Sequence, residues 1–290
     1  MVQTVRFLSE ECFPRDYTHP ANLSRASEHL ENLLEEAGWK VTRQEYDVPA
    51  EGAETVYHCW NLCALREENE GKNSEKRETR PRILVGAHYD ACENTPGADD
   101  NASGMAVLVE LAFLLKDLPL KNCEVELVAF CTEEPPHFAT RFMGSAVHAR
   151  ELRKKNVPVC AMLCLDVVGY YSERPGSQDY PLDSMAYLYG TRGDFLGIVG
   201  RFSDFEAMTL AEKQISVPDL RVCKLAVPEG MKYVIDFSDH RNYWRMQVPT
   251  LFFTNTAFYR TPHYHEPTDT WDRLDFRRMA RLAEGLARAV

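Results

Sequence analysis

Apolar positions along this chain follow two rhythms. Leu23, Ala26, Leu30, Leu33, Leu34 and Ala37 recur every three to four residues, which predicts an amphipathic helix stopped by Gly38. Helices are also predicted over residues 145–154, 195–214 and 276–289. Residues 102–116 are apolar almost all round, so the helix expected there should be covered on every side. Residues 83–87, 125–130, 159–165 and 250–254 are short apolar runs of buried-strand type, and 41–48 and 55–65 predict antiparallel outer strands. Strands alternating with helices predict an α/β fold, a three-layer α/β/α sandwich around a mixed, mainly parallel central sheet. No Gly/Ser/Pro-rich linker interrupts the pattern, so residues 1–290 are expected to form one domain. Residues 66–80 carry ten charged side chains in fifteen, five of each sign, and predict a solvated loop.

Composition narrows the partners. A formal charge of −11 counts against nucleic acid and against an anionic membrane surface. The longest apolar stretch, residues 102–115, contains Glu110 and falls short of the ~18 residues that a membrane span needs. Residues 1–13 lack an apolar core of signal-peptide length, so a cytoplasmic protein is expected, or one whose leader has been removed. The nine cysteines include no CxxC pair. They read as reduced, with Cys160 and Cys164 as small core residues, and no zinc–thiolate site is expected.

In open α/β sheets ligands bind beyond the carboxyl ends of the strands, and there the polar residues collect. His88 and Asp90 follow the run at 83–87 with the spacing that puts both side chains on one face. Asp99, Asp100 and Asn101 crowd the start of the apolar helix. One acid is explained as a helix cap, but two adjacent carboxylates suit a cation better. Glu133 and Glu134 follow the run at 125–130, with Pro135 and Pro136 fixing the backbone behind them. Asp166 ends the run at 159–165, where a lone acid among apolar residues needs a partner or a cation. His263 and His265 lie beyond the last strand, and Pro267 excludes a zinc-binding HExxH helix. Imidazoles and carboxylates without a thiolate suit a pair of zinc ions.

Taken together, HYD (88–90), PGADDNASG (96–104), TEE (132–134), LD (165–166), SDH (238–240) and YHEPTDT (264–270) occur in one order along the chain. That set resembles the zinc exopeptidases of the bacterial leucyl aminopeptidase type, whose fold is shared by glutamate carboxypeptidases and glutaminyl cyclases. The resemblance implies two zinc ions: His88 and Asp166 on the first, Glu134 and His265 on the second, and Asp100 bridging both. It selects Asp100 over Asp99 and His265 over His263. It also implies that Asp90 orients His88 and that Glu133 is the general base for hydrolysis of a terminal peptide bond. The expected substrate is a peptide or aminoacyl compound. The alternatives are a single-zinc glutaminyl cyclase, or a carboxypeptidase or dipeptidase that anchors a terminal carboxylate on Arg141, Arg192, Arg241 or Arg260.

Three departures from the family pattern stand out. The linker after Glu134 is longer and carries His137 and Arg141. The tyrosine expected just before SDH is out of register, which leaves His240 and Tyr233 as candidates for substrate binding and oxyanion stabilisation. An insertion at residues 172–183 has no assigned role, and the oligomeric state is not legible.

Overall fold

Burial of alternating apolar runs on both faces of a sheet gives the chain its frame. The computed structural model describes residues 1–52, 54–66, 80–119 and 123–290. Apart from its ends, the charged segment at 66–80 lies outside the described residues. Eight strands are described: β1 (Trp39–Pro49), β2 (Val56–Arg66), β3 (Arg82–His88), β4 (Glu124–Phe130), β5 (Val159–Leu165), β6 (Phe195–Arg201), β7 (Arg221–Val227) and β8 (Thr250–Thr254). They form one sheet in the order β1-β2-β4-β3-β5-β8-β6-β7. β4, β3, β5 and β8 run parallel side by side, whereas β1–β2, β2–β4 and β6–β8 are antiparallel.

The helices are α1 (Val2–Arg6), α2 (Pro20–Glu36), α3 (Gly104–Leu115), α4 (Gly144–Lys154), α5 (Met185–Tyr189), α6 (Phe205–Ile215) and α7 (Phe276–Ala289). α2, α3, α6 and α7 pack their apolar faces into one core, and α4 with Tyr243 and Trp244 covers the opposite face. The predicted three-layer sandwich is therefore the fold. α3 is the covered helix its sequence requires: nine of its twelve residues are buried.

Two expectations change. Residues 195–214 are not one helix; β6 occupies the first seven positions and α6 follows after a turn. The turn is fixed by Asp204, which accepts from the Arg201 amide at 3.0 Å and from Arg201 Nε at 2.8 Å. Gly197 lets β6 approach β8, since a Cβ there would stand 3.1 Å from the Thr254 carbonyl. Neither contact is visible to a periodicity count. Cys160 is exposed near the start of β5, while Cys164 is buried as expected.

Candidate metal centre

Four adjacent parallel strands bring their carboxyl ends to one edge of the sheet. His88 is the last residue of β3 and pairs in register with Phe130, the last residue of β4, so Glu133 and Glu134 emerge beside it. Leu165 pairs with Phe253 of β8, which sets Asp166 next in line and leads the chain toward His265. The turn carrying Asp99 and Asp100 is tied across the molecule. The Asp99 amide donates to Asp269 Oδ1 at 2.9 Å and the Asp100 amide to Asp269 Oδ2 at 3.1 Å.

The two aspartates of that turn separate by partner. Asp99 Oδ1 accepts from the Gly169 and Tyr170 amides, and Oδ2 from Asn255 Nδ2, so its carboxylate is spent on the scaffold. Asp100 points the other way. Its Oδ1 lies 3.1 Å from His88 Nε2 and its Oδ2 lies 3.1 Å from His265 Nε2. Asp166 Oδ1 is 3.4 Å from His88 Nε2, and Glu134 Oε2 is 3.3 Å from His265 Nε2.

Those distances allow a test of fit. Donors held ~2.0–2.1 Å from a tetrahedral zinc stand ~3.3 Å from one another, and all four separations lie close to that edge length. His88 Nε2, Asp166 Oδ1, His265 Nε2 and Glu134 Oε1 are buried without a hydrogen-bond partner. Imidazole nitrogens and carboxylate oxygens are thus close but not aligned as hydrogen bonds, the arrangement of donors gathered around cations. The donor set fits zinc. Glu133 differs: its Oε2 is 3.9 Å from His88 Nε2, outside the edge length, and its Oε1 is unpartnered.

Electrostatics agree with that fit. Burial and the neighbouring Glu134, Asp166 and Asp239 push the Glu133 carboxyl well above its ordinary range, against the pull of His88. Burial and Asp100 likewise raise Glu134 to about 7, against the pull of His265. Burial alone would lower the His88 imidazole, yet Asp166, Glu133 and Asp100 raise it well above its usual value. Without a cation, such a cluster must hold protons; a bound cation would displace them.

Asp90 does more than sit near His88. Its Oδ1 and Oδ2 accept from the Glu133 and Glu134 amides at 3.3 and 3.2 Å, so it fixes the backbone of the glutamate pair. His88 Nδ1 faces the Asp90 backbone carbonyl at 3.2 Å, closer than the carboxylate at 3.5 Å. The main chain therefore holds that ring at least as much as the acid does.

The two candidates for substrate binding are placed elsewhere. His240 is fully buried, stacked 4.4 Å from Phe252, with Nε2 on the Ile235 carbonyl at 2.8 Å. Burial lowers its pKa to about 3, so it is a neutral core residue that substrate cannot touch. Tyr233 is 67% exposed on a short 3₁₀ turn, pointing to solvent.

Three residues not singled out by the sequence belong to this region. Tyr264 stacks on His265 at 3.9 Å, and burial together with Asp100, Glu134, Asp166 and Glu133 keeps its phenol protonated. Its position beside His265 was the available signal. Arg15, 1% exposed, donates to the carbonyls of Tyr89, Leu8, Pro96 and Gly97 and clamps the loops on either side of Asp90 and Asp100. Nothing in the sequence marks it. Cys92 places its thiol within 4.8 Å of ligand atoms on Glu134 and His265.

A cavity partly open to solvent adjoins Asp166 and Tyr264. Its walls include Phe195, Val199, Leu225, Ile235 and Phe252, and residues 178–181 of the insertion line it. The unassigned insertion thus forms part of a pocket wall.

The profile described as Peptidase family M28 matches residues 69–198 and 203–290. The uncharacterized protein YfbL of Escherichia coli (strain K12) is 41% identical over 293 residues, covering 98% of this chain and 84% of that protein. A probable leucine aminopeptidase of Arthroderma otae is 28% identical over 250 residues, covering 81% of this chain and 59% of that protein. Among solved structures, BSAP, a zinc aminopeptidase from Bacillus subtilis, superposes with a TM-score of 0.73 at 15% identity, over 99% of this chain and 93% of that one. Porphyromonas gingivalis glutaminyl cyclase superposes with a TM-score of 0.70 at 17% identity, over 99% and 95%. At these identities the structural likenesses establish the fold.

Proposed function

Because the chain belongs to peptidase family M28, we propose that it is a zinc-dependent aminopeptidase acting on peptides whose first residue is bulky and apolar. The observation that carries this reading is the double use of Asp100, one oxygen toward each imidazole. His88 and Asp166 would hold one ion and Glu134 and His265 the other, with one oxygen of Asp100 turned toward each pair. When bound, two such ions polarise a carbonyl and bring the pKa of water to about 7.

The protein's own groups do the rest. Glu133 stands outside the ligand edges, takes the proton of the attacking water and hands it to the leaving amine. Asp90 holds both glutamates by their amides, which keeps the base from drifting toward the ions. Tyr264 offers a protonated hydroxyl where the cavity meets the cluster. The apolar cavity takes the side chain of the first residue.

An acidic cluster suits a substrate ammonium, and two of the four candidate arginines, Arg260 and Arg241, have partners within the protein. Arg260 donates to Gln178 Oε1 and to the Phe195 carbonyl, both at 2.7 Å, and Arg241 pairs with Asp236 at 3.0 Å. The test is a metal count by atomic emission beside hydrolysis of leucyl, phenylalanyl, glycyl and N-blocked substrates. Two ions, a requirement for the free amine and preference for large apolar residues are expected. One ion with cyclisation of N-terminal glutamine and no hydrolysis would refute it.

A further inference from the structure

Among the described residues, two clusters bring a thiol, a carboxylate and an imidazole together. On the α4 face of the sheet, Cys63, Glu126 and His148 offer ligand atoms within 4.8 Å of one another. There the polar atoms are already occupied. His148 Nδ1 meets the Tyr243 hydroxyl at 2.7 Å, His148 Nε2 meets Glu126 Oε1 at 3.3 Å, and Arg82 Nη1 donates to Glu126 Oε2 at 3.1 Å. That cluster is complete without an ion.

The second cluster is Cys92, Glu134 and His265, again within 4.8 Å of one another. Here Glu134 Oε1 and His265 Nε2 have no hydrogen-bond partner, and Glu134 is only 5% exposed. The Cys92 backbone is fixed in a turn, its carbonyl accepting from the Thr95 amide at 3.1 Å and from Thr95 Oγ1 at 2.7 Å. That turn sets the thiol beside the unpartnered atoms of Glu134 and His265. Arg15 clamps the same stretch from below through the Tyr89 and Pro96 carbonyls.

We infer that Cys92 is a direct sulfur ligand of the ion held by Glu134 and His265. The inference rests on the two-ion reading above. It makes the two positions chemically unequal. The His88 and Asp166 position offers nitrogen and oxygen only, whereas the other adds a soft thiolate that selects for zinc, cobalt or cadmium over magnesium or manganese.

Cobalt(II) reports sulfur ligation independently of turnover. The full chain loaded with two equivalents of cobalt should show an intense near-ultraviolet sulfur-to-metal charge-transfer absorption. C92S and C92A should lose it and bind the second cobalt at least tenfold more weakly, while C63S keeps both. Circular dichroism and thermal melts check that each variant is folded, and the two substitutions at one site guard against failure of either. Two bound cobalt ions with no charge-transfer band, or a band unchanged in C92S and C92A, would overturn the inference and leave the aminopeptidase reading standing. Failure of the wild-type chain to bind a second ion at all, with only one set of visible cobalt bands, would strike the two-ion reading itself.

Discussion

Replacing Glu133 by glutamine separates proton transfer from metal binding in a single isosteric change. Glu133 Oε2 lies 3.9 Å from His88 Nε2, whereas the four ligand-type separations run from 3.1 to 3.4 Å, so no ion should depend on it. Its backbone should not move, because the amide stays on Asp90 Oδ1. Loss of the proton carrier alone predicts a fall in kcat of ~10²–10⁴, equivalent to about 2.7–5.5 kcal/mol of transition-state stabilisation. Burial, Glu134, Asp166 and Asp239 raise this carboxyl above 4.5 in the folded protein, so its ionisation opposes folding as pH rises from the unfolded value through the folded one. Metal-free E133Q should accordingly be more stable than the metal-free parent near neutral pH. The assay pairs steady-state turnover of an aminoacyl substrate with emission analysis of the same samples, and E134Q serves as the contrast that loses an ion. Activity of E133Q within tenfold of wild type, or loss of metal from it, would refute the assignment of the two glutamates.

Other expectations follow from the same geometry. Arg15→Met removes a donor from four carbonyls, of which only that of Gly97 keeps the Ala102 amide among the bonds described, and should lower stability by about 3 kcal/mol or more, read as a fall in the urea midpoint; a loss under ~1 kcal/mol would mean the clamp is not what holds these loops. Chelation should lower the melting temperature and restored zinc should recover it, with ~2.7 kcal/mol per ion at a free concentration 100-fold above Kd; an unchanged melt would argue against bound metal. Burial would lower the His148 imidazole, but Cys63 and Glu126 raise it from 6.5 to about 10. Its stabilisation should therefore be full below pH ~6.5 and decline as pH rises toward 10, and urea midpoints of H148Q should lack that decline.

Much of the site was legible because strand ends are local features. An apolar run of five to seven residues ending at or followed closely by acids or histidine marks both the strand and the place where its chain leaves the sheet, and β3, β4 and β5 carry that mark, whereas the histidines after β8 begin only at His263. The order of donors along the chain then fixed which residue types could meet. What local pattern misread was residues 195–214, where only the three-residue turn at 202–204 separates a buried strand from a helix. It also left His240 looking like a site residue, because a histidine stacked in a core and one facing a substrate have the same letter.

The amino-acid sequence by itself determined the kinds of donor, their order and the sheet edge on which they gather. Only the tertiary structure decided how each was used. Asp99 and Asp100 are adjacent and chemically identical, yet one is consumed by Gly169, Tyr170 and Asn255 and the other divides its oxygens between two imidazoles. Arg15 and Cys92 reach the centre across loops that no periodicity describes, and the cavity wall comes from an insertion without a motif. The physical reason is common to all of them. Strand and helix rhythms arise from neighbours in sequence, whereas the orientation of a carboxylate is set by partners such as Asp269, 170 residues away from the amide it holds.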